Sequence, residues 1–436
     1  MRKRIAIISD HASPLAAAGG VDSGGQNVYI AQVARHLARL GYRVDVFTRR
    51  DGEDLPEVLE WRPGIRVVHV PAGPAAFVRK EELLPLMGEF AAYVRDFARR
   101  NGGYRISHAN FFMSGLASIE LKRALGVPYV VTFHALGRVR RLHQGDADQF
   151  PPERLEIEDQ VIADADAVIA ECPQDFEDLT RLYRADPARV RIIPCGFDKS
   201  EFWPITRTLA RRTLGWRPDE RILLNIGRLV PRKGIDNAIR GVARLARDHG
   251  IEARLVVVGG NSDLPDPALT PEIGRLQKLA AAEGIADRVL FTGRRSREFL
   301  KLYYSAADIF ITTPWYEPFG ITPLEAMACG TPVLGADVGG IRYSVADGET
   351  GRLVPPNDPD ALAARLAELY GDPARLRALG RNGLKRVHSL FTWQKVARSV
   401  AGCYEQAVRE PYPLSGELAC HPSRTSPSWS PAAAAA

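Results

Sequence analysis

Apolar residues along this chain come in two textures. Short solid runs at residues 4–9, 43–48, 66–70, 129–133 and 167–170 read as strands buried on both faces of a parallel sheet. Between them apolar positions recur every three or four residues, as they do for Ile30, Val33, Ala34, Leu37 and Leu40, which share one face of a helix that Gly41 ends. Strand, glycine-rich loop at 19–25, helix and strand together make a βαβ unit. The same alternation resumes further on, with strands predicted at 222–226, 254–258, 289–292, 309–312 and 332–335. The text between, IIPCGFDKSEFWP at 192–204, holds two prolines and a glycine around short polar turns and marks a junction.

The pattern predicts an α/β protein of two doubly wound, Rossmann-like domains facing each other across a cleft. Residues 1–200 form the first and 201–390 the second. A last helix at 391–410 is expected to pack back on the first domain. The stretch 411–436, rich in Pro, Ser and Ala without apolar periodicity, reads as a disordered tail.

Composition narrows the class. At 436 residues the chain is too long for one ordinary core, and 45% hydrophobic with 25% charged residues excludes a disordered, collagen-like or polytopic membrane chain. The apolar run at 5–8 is too short for a signal-peptide core, and no run reaches membrane-spanning length, so a cytoplasmic protein without integral membrane association is expected; peripheral contact stays open. Five scattered cysteines form neither a CxxC pair nor a disulfide framework. The net charge of +6 comes from dispersed arginines, including Arg49–Arg50, Arg138–Arg141 and Arg294–Arg297, without any nucleic-acid-binding motif. An anionic small ligand accounts for it more economically than nucleic acid.

Three loops carry candidate chemistry. Asp22-Ser23-Gly24-Gly25-Gln26-Asn27 runs into the first helix, where bare N–H groups make either an anion cradle or a capped turn. Gly227-Arg228-Leu229-Val230-Pro231-Arg232-Lys233-Gly234 follows a strand, and its Arg228 and Lys233 offer a guanidinium fork and a point charge suited to a diphosphate. Glu317-Pro318-Phe319-Gly320-Ile321-Thr322-Pro323-Leu324-Glu325 places two carboxylates around a glycine turn and a helix start marked by Pro323, with Glu325 expected in the first helical turn. There Glu325 is suited to a ribose diol, Glu317 to sugar hydroxyls, and the amides of Phe319 to Thr322 to phosphate oxygens. His134, at the end of the 129–133 strand, and His108, at the end of another, are cleft candidates. Asp146-Ala147-Asp148 and Asp164-Ala165-Asp166 resemble metal-binding strings but are set aside, because protein cations are present to neutralise a diphosphate.

These motifs, with Ala-Cys-Gly-Thr-Pro-Val and Gly-Gly downstream, resemble those of the retaining glycosyltransferases of family 4, which have the GT-B fold. The resemblance covers residues 4–408. It implies a metal-independent transferase with no cofactor beyond a nucleotide-diphosphate sugar, UDP-glucose first among them, as co-substrate. It places Arg228 and Lys233 on the donor diphosphate, Glu325 on the ribose, Glu317 and His134 on the transferred sugar, and Gly24 and Gly25 at the phosphates, with Arg294, Phe319, Gly320, Ile321 and Thr322 completing the donor site. The catalytic set is then His134, Arg228, Lys233 and Glu317. Within the family, Gly24-Gly25-Gln26-Asn27-Val28-Tyr29 and His134-Ala135-Leu136-Gly137-Arg138 are similar to sucrose-phosphate synthases and sucrose synthases, and the inositol-phosphate glycosyltransferases of mycothiol synthesis are near relatives. By the same resemblance Lys80, His108, Asn110 and Arg154 line the acceptor side; Lys80 matches a lysine that binds acceptor phosphate, and Arg154 falls near a second phosphate cation. Where the inositol enzymes use a tyrosine and a threonine this chain has Phe111 and Ala135, two hydroxyls fewer. A lipid-linked or polysaccharide acceptor, and a nucleotide-sugar sensor without turnover, are the alternatives.

Overall fold

The computed structural model describes residues 3–16 and 24–412. Its first sheet has the order β3-β4-β2-β1-β5-β6-β7-β8, built from β1 (Arg4–Ile8), β2 (Arg43–Arg49), β3 (Val58–Arg62), β4 (Ile65–Val70), β5 (Ile106–Asn110), β6 (Tyr129–Thr132), β7 (Ala167–Ala170) and β8 (Val190–Ile192). All neighbours are parallel except β3, which runs antiparallel to β4 at the edge. The second sheet is wholly parallel, in the order β11-β10-β9-β12-β13-β14. Its strands are β9 (Ile222–Ile226), β10 (Arg254–Val258), β11 (Val289–Gly293), β12 (Ile309–Thr312), β13 (Val333–Ala336) and β14 (Gly351–Val354).

Each sheet winds outward in both directions from its first strand, so a topological switch point lies between β1 and β5 in one domain and between β9 and β12 in the other. Crevices open at the carboxyl ends of strands at such points. The loops that follow β1, β5, β9 and β12 therefore flank the ligand-binding crevices.

The solid runs became strands because both sheet faces are covered by helices, so β1, β6, β7 and β9 have almost no solvent-facing positions. The edge strands β3, β8 and β14 lack that texture and left no clear signal. In the helix Gly25–Arg39, residues Ile30, Val33, Ala34 and Leu37 are buried, whereas Leu40 lies past its end and is exposed. That helix caps on Gly24; Asp22 and Ser23 of the same loop lie outside the described residues, as does the tail 413–436.

The chain crosses between the domains twice at one place. Phe197 N–H donates to Phe391 O at 2.9 Å, and a Cβ on Gly196 would fall 2.7 Å from the Trp393 nitrogen, so the two crossings touch backbone to backbone. The helix Trp393–Arg409 then lies against Gly25–Arg39. Trp393, Val400 and Tyr404 join Phe197, Phe202, Phe310 and Leu324 in one hydrophobic cluster that runs from domain to domain. Burying a side chain such as Trp393 contributes on the order of 2–3 kcal/mol.

Candidate active site

The second domain's site is set by glycines that admit no side chain. Gly234 has φ +62° and an added Cβ would stand 1.9 Å from Thr313 O, while the Thr313 hydroxyl donates to Gly234 O at 2.7 Å. The loops after β9 and β12 are thereby locked together, which brings Lys233 into a direct ion pair with Glu317. On the far side of Glu317, Gly340 N–H donates to the Glu317 carbonyl at 3.1 Å, and a Cβ on Gly339 would meet that oxygen at 2.0 Å. The downstream Gly-Gly pair is thus the seat of the Glu317 loop. Gly320, with φ +83°, caps the helix Ile321–Ala328.

Charge at this site is concentrated. Burial pushes the Lys233 ammonium down to about 8 against the pull of Glu317. At Glu317 burial acts upward, but Lys233, Arg232 and Arg228 outweigh it and hold the carboxyl below its usual value. Arg232, to which the sequence reading gave no role, has its guanidinium 3.9 Å from Glu317.

The first domain meets this cluster through its glycine loop. A Cβ on Gly24 would lie 3.5 Å from Arg228 Nε, and one on Gly25 would lie 3.7 Å from the Ile321 side chain. The two glycines, Arg228 and the start of the Ile321–Ala328 helix therefore share one cleft. Gly24 N–H is not bare as expected, since it donates to Asn27 Oδ1 at 2.9 Å; amides further into the first turn are the ones a helix start leaves without an intrahelical partner.

Glu325 sits in the second turn of its helix rather than the first, beyond the reach of a simple helix-end effect. Its carboxylate is 2% exposed and accepts from Arg297 and from the Tyr304 hydroxyl, each at 2.9 Å. Arg297 in turn pairs with Glu201 at 2.9 Å. Arg294 stands at the rim, its amide donating to Ser262 O at 2.7 Å and its side chain turned to Asp263.

Across the cleft, His134 follows β6 in the left-handed region at φ +58°, a conformation that costs a non-glycine residue about 1–3 kcal/mol and persists where surroundings enforce it. Its Nδ1 lies 3.2 Å from Glu171 Oε1, its Nε2 lies 3.0 Å from Asn110 Oδ1, and Tyr29 packs edge-on at 4.8 Å. Asn110 cannot turn away, because its amide donates to the carbonyls of His108 (3.1 Å) and Ile8 (3.4 Å). Asn110 therefore holds His134 instead of lining an acceptor pocket.

Two other acceptor-side assignments need correction. His108 is fully buried beneath the C-terminal helix, with Nδ1 on the Tyr404 hydroxyl (2.7 Å) and Nε2 on Thr132 (2.9 Å). Burial pushes its pKa down to about 3, so it is a neutral packing residue away from the cleft. Arg154 is 1% exposed and caged by Phe111, Phe112 and Phe150, with Nε on Glu158 at 2.7 Å and Nη2 on Ala135 O. Only its buried Nη1 has no hydrogen bond. Lys80, on a short 3₁₀ turn, stays partly exposed, 3.8 Å from Glu81.

Several groups at the crevice were not singled out from sequence. Asp10 and His11, in the loop after β1, make a 2.8 Å contact, and Asp10 also accepts from Ser114. Glu171 ends β7 against His134, and Gln26 reaches Asn110 O at 3.2 Å. Polar residues directly after a buried strand were the available signal. The two Asp-x-Asp strings do other work: Asp148 pairs with Arg140 and Asp166 with Lys122. Among the described residues no helix is long and apolar enough to cross a membrane.

Comparison with known proteins agrees with this geometry. The model for Glycosyltransferase Family 4 matches residues 23–201 and that for Glycosyl transferases group 1 matches 206–386. D-inositol 3-phosphate glycosyltransferase of Actinosynnema mirum is 40% identical over 412 residues, covering 93% of this chain and 97% of the relative. The Rhodococcus opacus protein of that name is 36% identical, covering 93% and 91%. Among solved structures, sucrose-phosphate synthase of Thermosynechococcus elongatus superposes with a TM-score of 0.86 at 36% identity, covering 94% of this chain and all of that one. Anabaena Alr3699/HepE in complex with UDP-glucose shares the fold, with a TM-score of 0.71 at 20% identity over 92% of this chain and 99% of that one. The chain belongs to the GT-B glycosyltransferases of family 4, enzymes that transfer a sugar to an acceptor.

Proposed function

We propose that this enzyme moves a glucosyl group from UDP-glucose, with retention, to a hydroxyl of a phosphorylated sugar. The observation that carries the reading is the meeting of Gly24 and Gly25 with Arg228 and Ile321 directly beside the Lys233–Glu317 pair. A diphosphate in that space would meet two cations and a helix start, and its attached sugar would lie between Glu317 and His134. The anomeric C–O bond to phosphate breaks and the acceptor oxygen bonds to the same face, while the acceptor proton passes to an oxygen of the departing diphosphate. Arg228, Lys233 and first-turn amides stabilise the charge that grows on that phosphate, with no metal or other cofactor required. Glu325, ordered by Arg297 and Tyr304, keeps lone pairs for a ribose diol.

For the acceptor, the partly exposed Lys80 and the likeness to relatives named for phosphorylated substrates or products favour an anionic group. The likeness to sucrose-phosphate synthase points to a ketose phosphate. Inositol 3-phosphate is the second reading, favoured by the names of the relatives that are 36–40% identical, and the apolar Phe111 and Ala135 speak against it. We place the reaction in the cytoplasm, with small-molecule substrates only.

UDP release from UDP-glucose, measured alone, with fructose 6-phosphate and with inositol 3-phosphate, tests this directly, with Lys233→Ala as the blank. Release stimulated by fructose 6-phosphate is the expected result. Stimulation by inositol 3-phosphate instead transfers the acceptor assignment to the second reading. No stimulation by either removes the phosphorylated acceptor.

A further inference from the structure

The helix Gly137–Gln144 begins three residues after His134 and reaches across to the other domain, yet Gly137 is its only buried residue. Its first turn is held by a buried pair of the first domain: Gly137 N–H donates to the Glu158 carboxylate at 2.9–3.0 Å, and Glu158 is gripped by Arg154. Its last turn is held by Tyr316. The His143 ring lies nearly parallel to the Tyr316 ring, 4.8 Å between centres at 17°, and the Gln144 amide donates to the Tyr316 hydroxyl. A helix with so few core contacts belongs to the less stable part of a fold, so these end contacts decide where it sits.

Tyr316 immediately precedes Glu317. Its ring also takes the Arg232 guanidinium at 5.3 Å, the Trp315 N–H donates to Arg232 O at 3.0 Å, and Arg232 stands 3.9 Å from the Glu317 carboxylate. The contacts form an unbroken path from Arg154 and Glu158 through the helix to Tyr316, Arg232 and Glu317. Beside it lies a cavity of about 290 Å³, walled by Leu136, Val139 and Leu142 of the first domain and Trp315, Tyr316 and Val338 of the second. Space on one side leaves Tyr316 free to part from His143 without repacking a core.

We propose that Tyr316 is a positioning residue, a latch through which the acceptor-side helix sets Arg232 and Glu317 on the donor sugar. This rests on the function proposed above. Latched, the Glu317 loop holds the sugar for the acceptor; unlatched, the loop is slack, water reaches the anomeric carbon, and its oxygen takes the sugar in place of the acceptor hydroxyl. The latch therefore governs how donor turnover divides between transfer and hydrolysis.

The test uses the full-length enzyme with Tyr316→Leu, Tyr316→Phe, His143→Ala and the double variant Tyr316→Leu/His143→Ala. Wild type is first given UDP-, ADP- and GDP-glucose, with and without acceptor; turnover of none of them, by transfer or by hydrolysis, overturns the proposed function and the latch together. With the donor that is used, Tyr316→Leu should lower kcat/KM for transfer by about tenfold or more, as misplacement of a reacting group does. The hydrolysis-to-transfer ratio should rise, and affinity for the free nucleoside diphosphate should stay within about twofold, since uniform binding is untouched. Tyr316→Phe keeps the ring and should retain most of the transfer. Adding His143→Ala to Tyr316→Leu should cost nothing more, because the two residues share one contact. If transfer and hydrolysis fall in parallel, or the two substitutions are additive, Tyr316 is merely a packing residue and the latch is refuted, while a donor still turned over leaves the proposed function standing.

Discussion

Raising the pH from 7 to 9 should disable this enzyme through Lys233 alone. Its ammonium is pushed down to about 8 by burial, although Glu317 pulls the other way. A group with that pKa is about nine-tenths charged at pH 7, half charged at pH 8 and about one-tenth charged at pH 9, so kcat/KM should fall about tenfold across the interval. Glu317 is held below its usual carboxyl value and stays ionised throughout, adding nothing to this limb. A bound diphosphate favours the ammonium, so kcat at saturating donor should hold to higher pH than kcat/KM does. Stability moves the opposite way. The unfolded chain keeps this proton up to 10.5 and the folded chain releases it near 8, so between those values the folded state binds fewer protons and the contribution of Lys233 to stability rises with pH. Lost activity in this window is then not lost structure, and a Tm profile beside the rate profile separates the two. Lys233→Arg, which does not titrate below about pH 12, should be slower but free of the alkaline limb. A wild-type kcat/KM that is flat from pH 7 to 9, or a limb that survives in Lys233→Arg, would falsify this account of the charge.

Two further outcomes follow from the same site. Gly234→Ala places a Cβ against Thr313 O in a left-handed conformation, which alone costs about 1–2 kcal/mol; the loops must part, and donor turnover should drop at least as far as in Lys233→Ala when the two are assayed side by side. Glu325→Ala leaves Arg297 with only Glu201 and should lower stability by about 3 kcal/mol in denaturant titration, the lower end of the cost of breaking a buried pair. Adding Arg297→Met should restore much of that stability but no activity, if Glu325 also holds the ribose.

Legibility in the sequence followed the range of the interactions concerned. The buried strands were readable because each is a solid apolar run, and the loops after β9 and β12 because a glycine, two cations and two carboxylates crowd into a few positions. His108 was misplaced because what covers it, Tyr404, is 296 residues away in sequence. Arg154 reads as a surface cation until Phe111, Phe112 and Phe150 close around it. Asn110 stood among the acceptor-side candidates, yet only the fixed directions of its amide show that it holds His134. Asp10, His11 and Glu171 are single polar residues after strands, a pattern too common to distinguish them before the sheet order puts their ends together.

The same long-range contacts tie Glu325 to the crossing between the domains. Glu325 accepts from Arg297, Arg297 pairs with Glu201 on the first crossing between domains, and Glu201 accepts from Gln32 on the first helix at 3.5 Å. Gln32 also donates to Asp198, which faces Arg35 at 3.6 Å. The proposed ribose carboxylate thus communicates with the glycine-loop helix by two routes, through the cleft itself and behind it through the crossing. Neither exposed ion pairs nor a hydrophobic seam alone would do this: the former are individually worth little and the latter is indifferent to charge. A half-buried arginine shared between two carboxylates is different, because any ligand that draws on Glu325 changes the field at Glu201. Glu325 and the crossing between the domains are parts of one hydrogen-bonded chain, so a nucleotide that drew on the proposed ribose carboxylate would also change the field at the crossing.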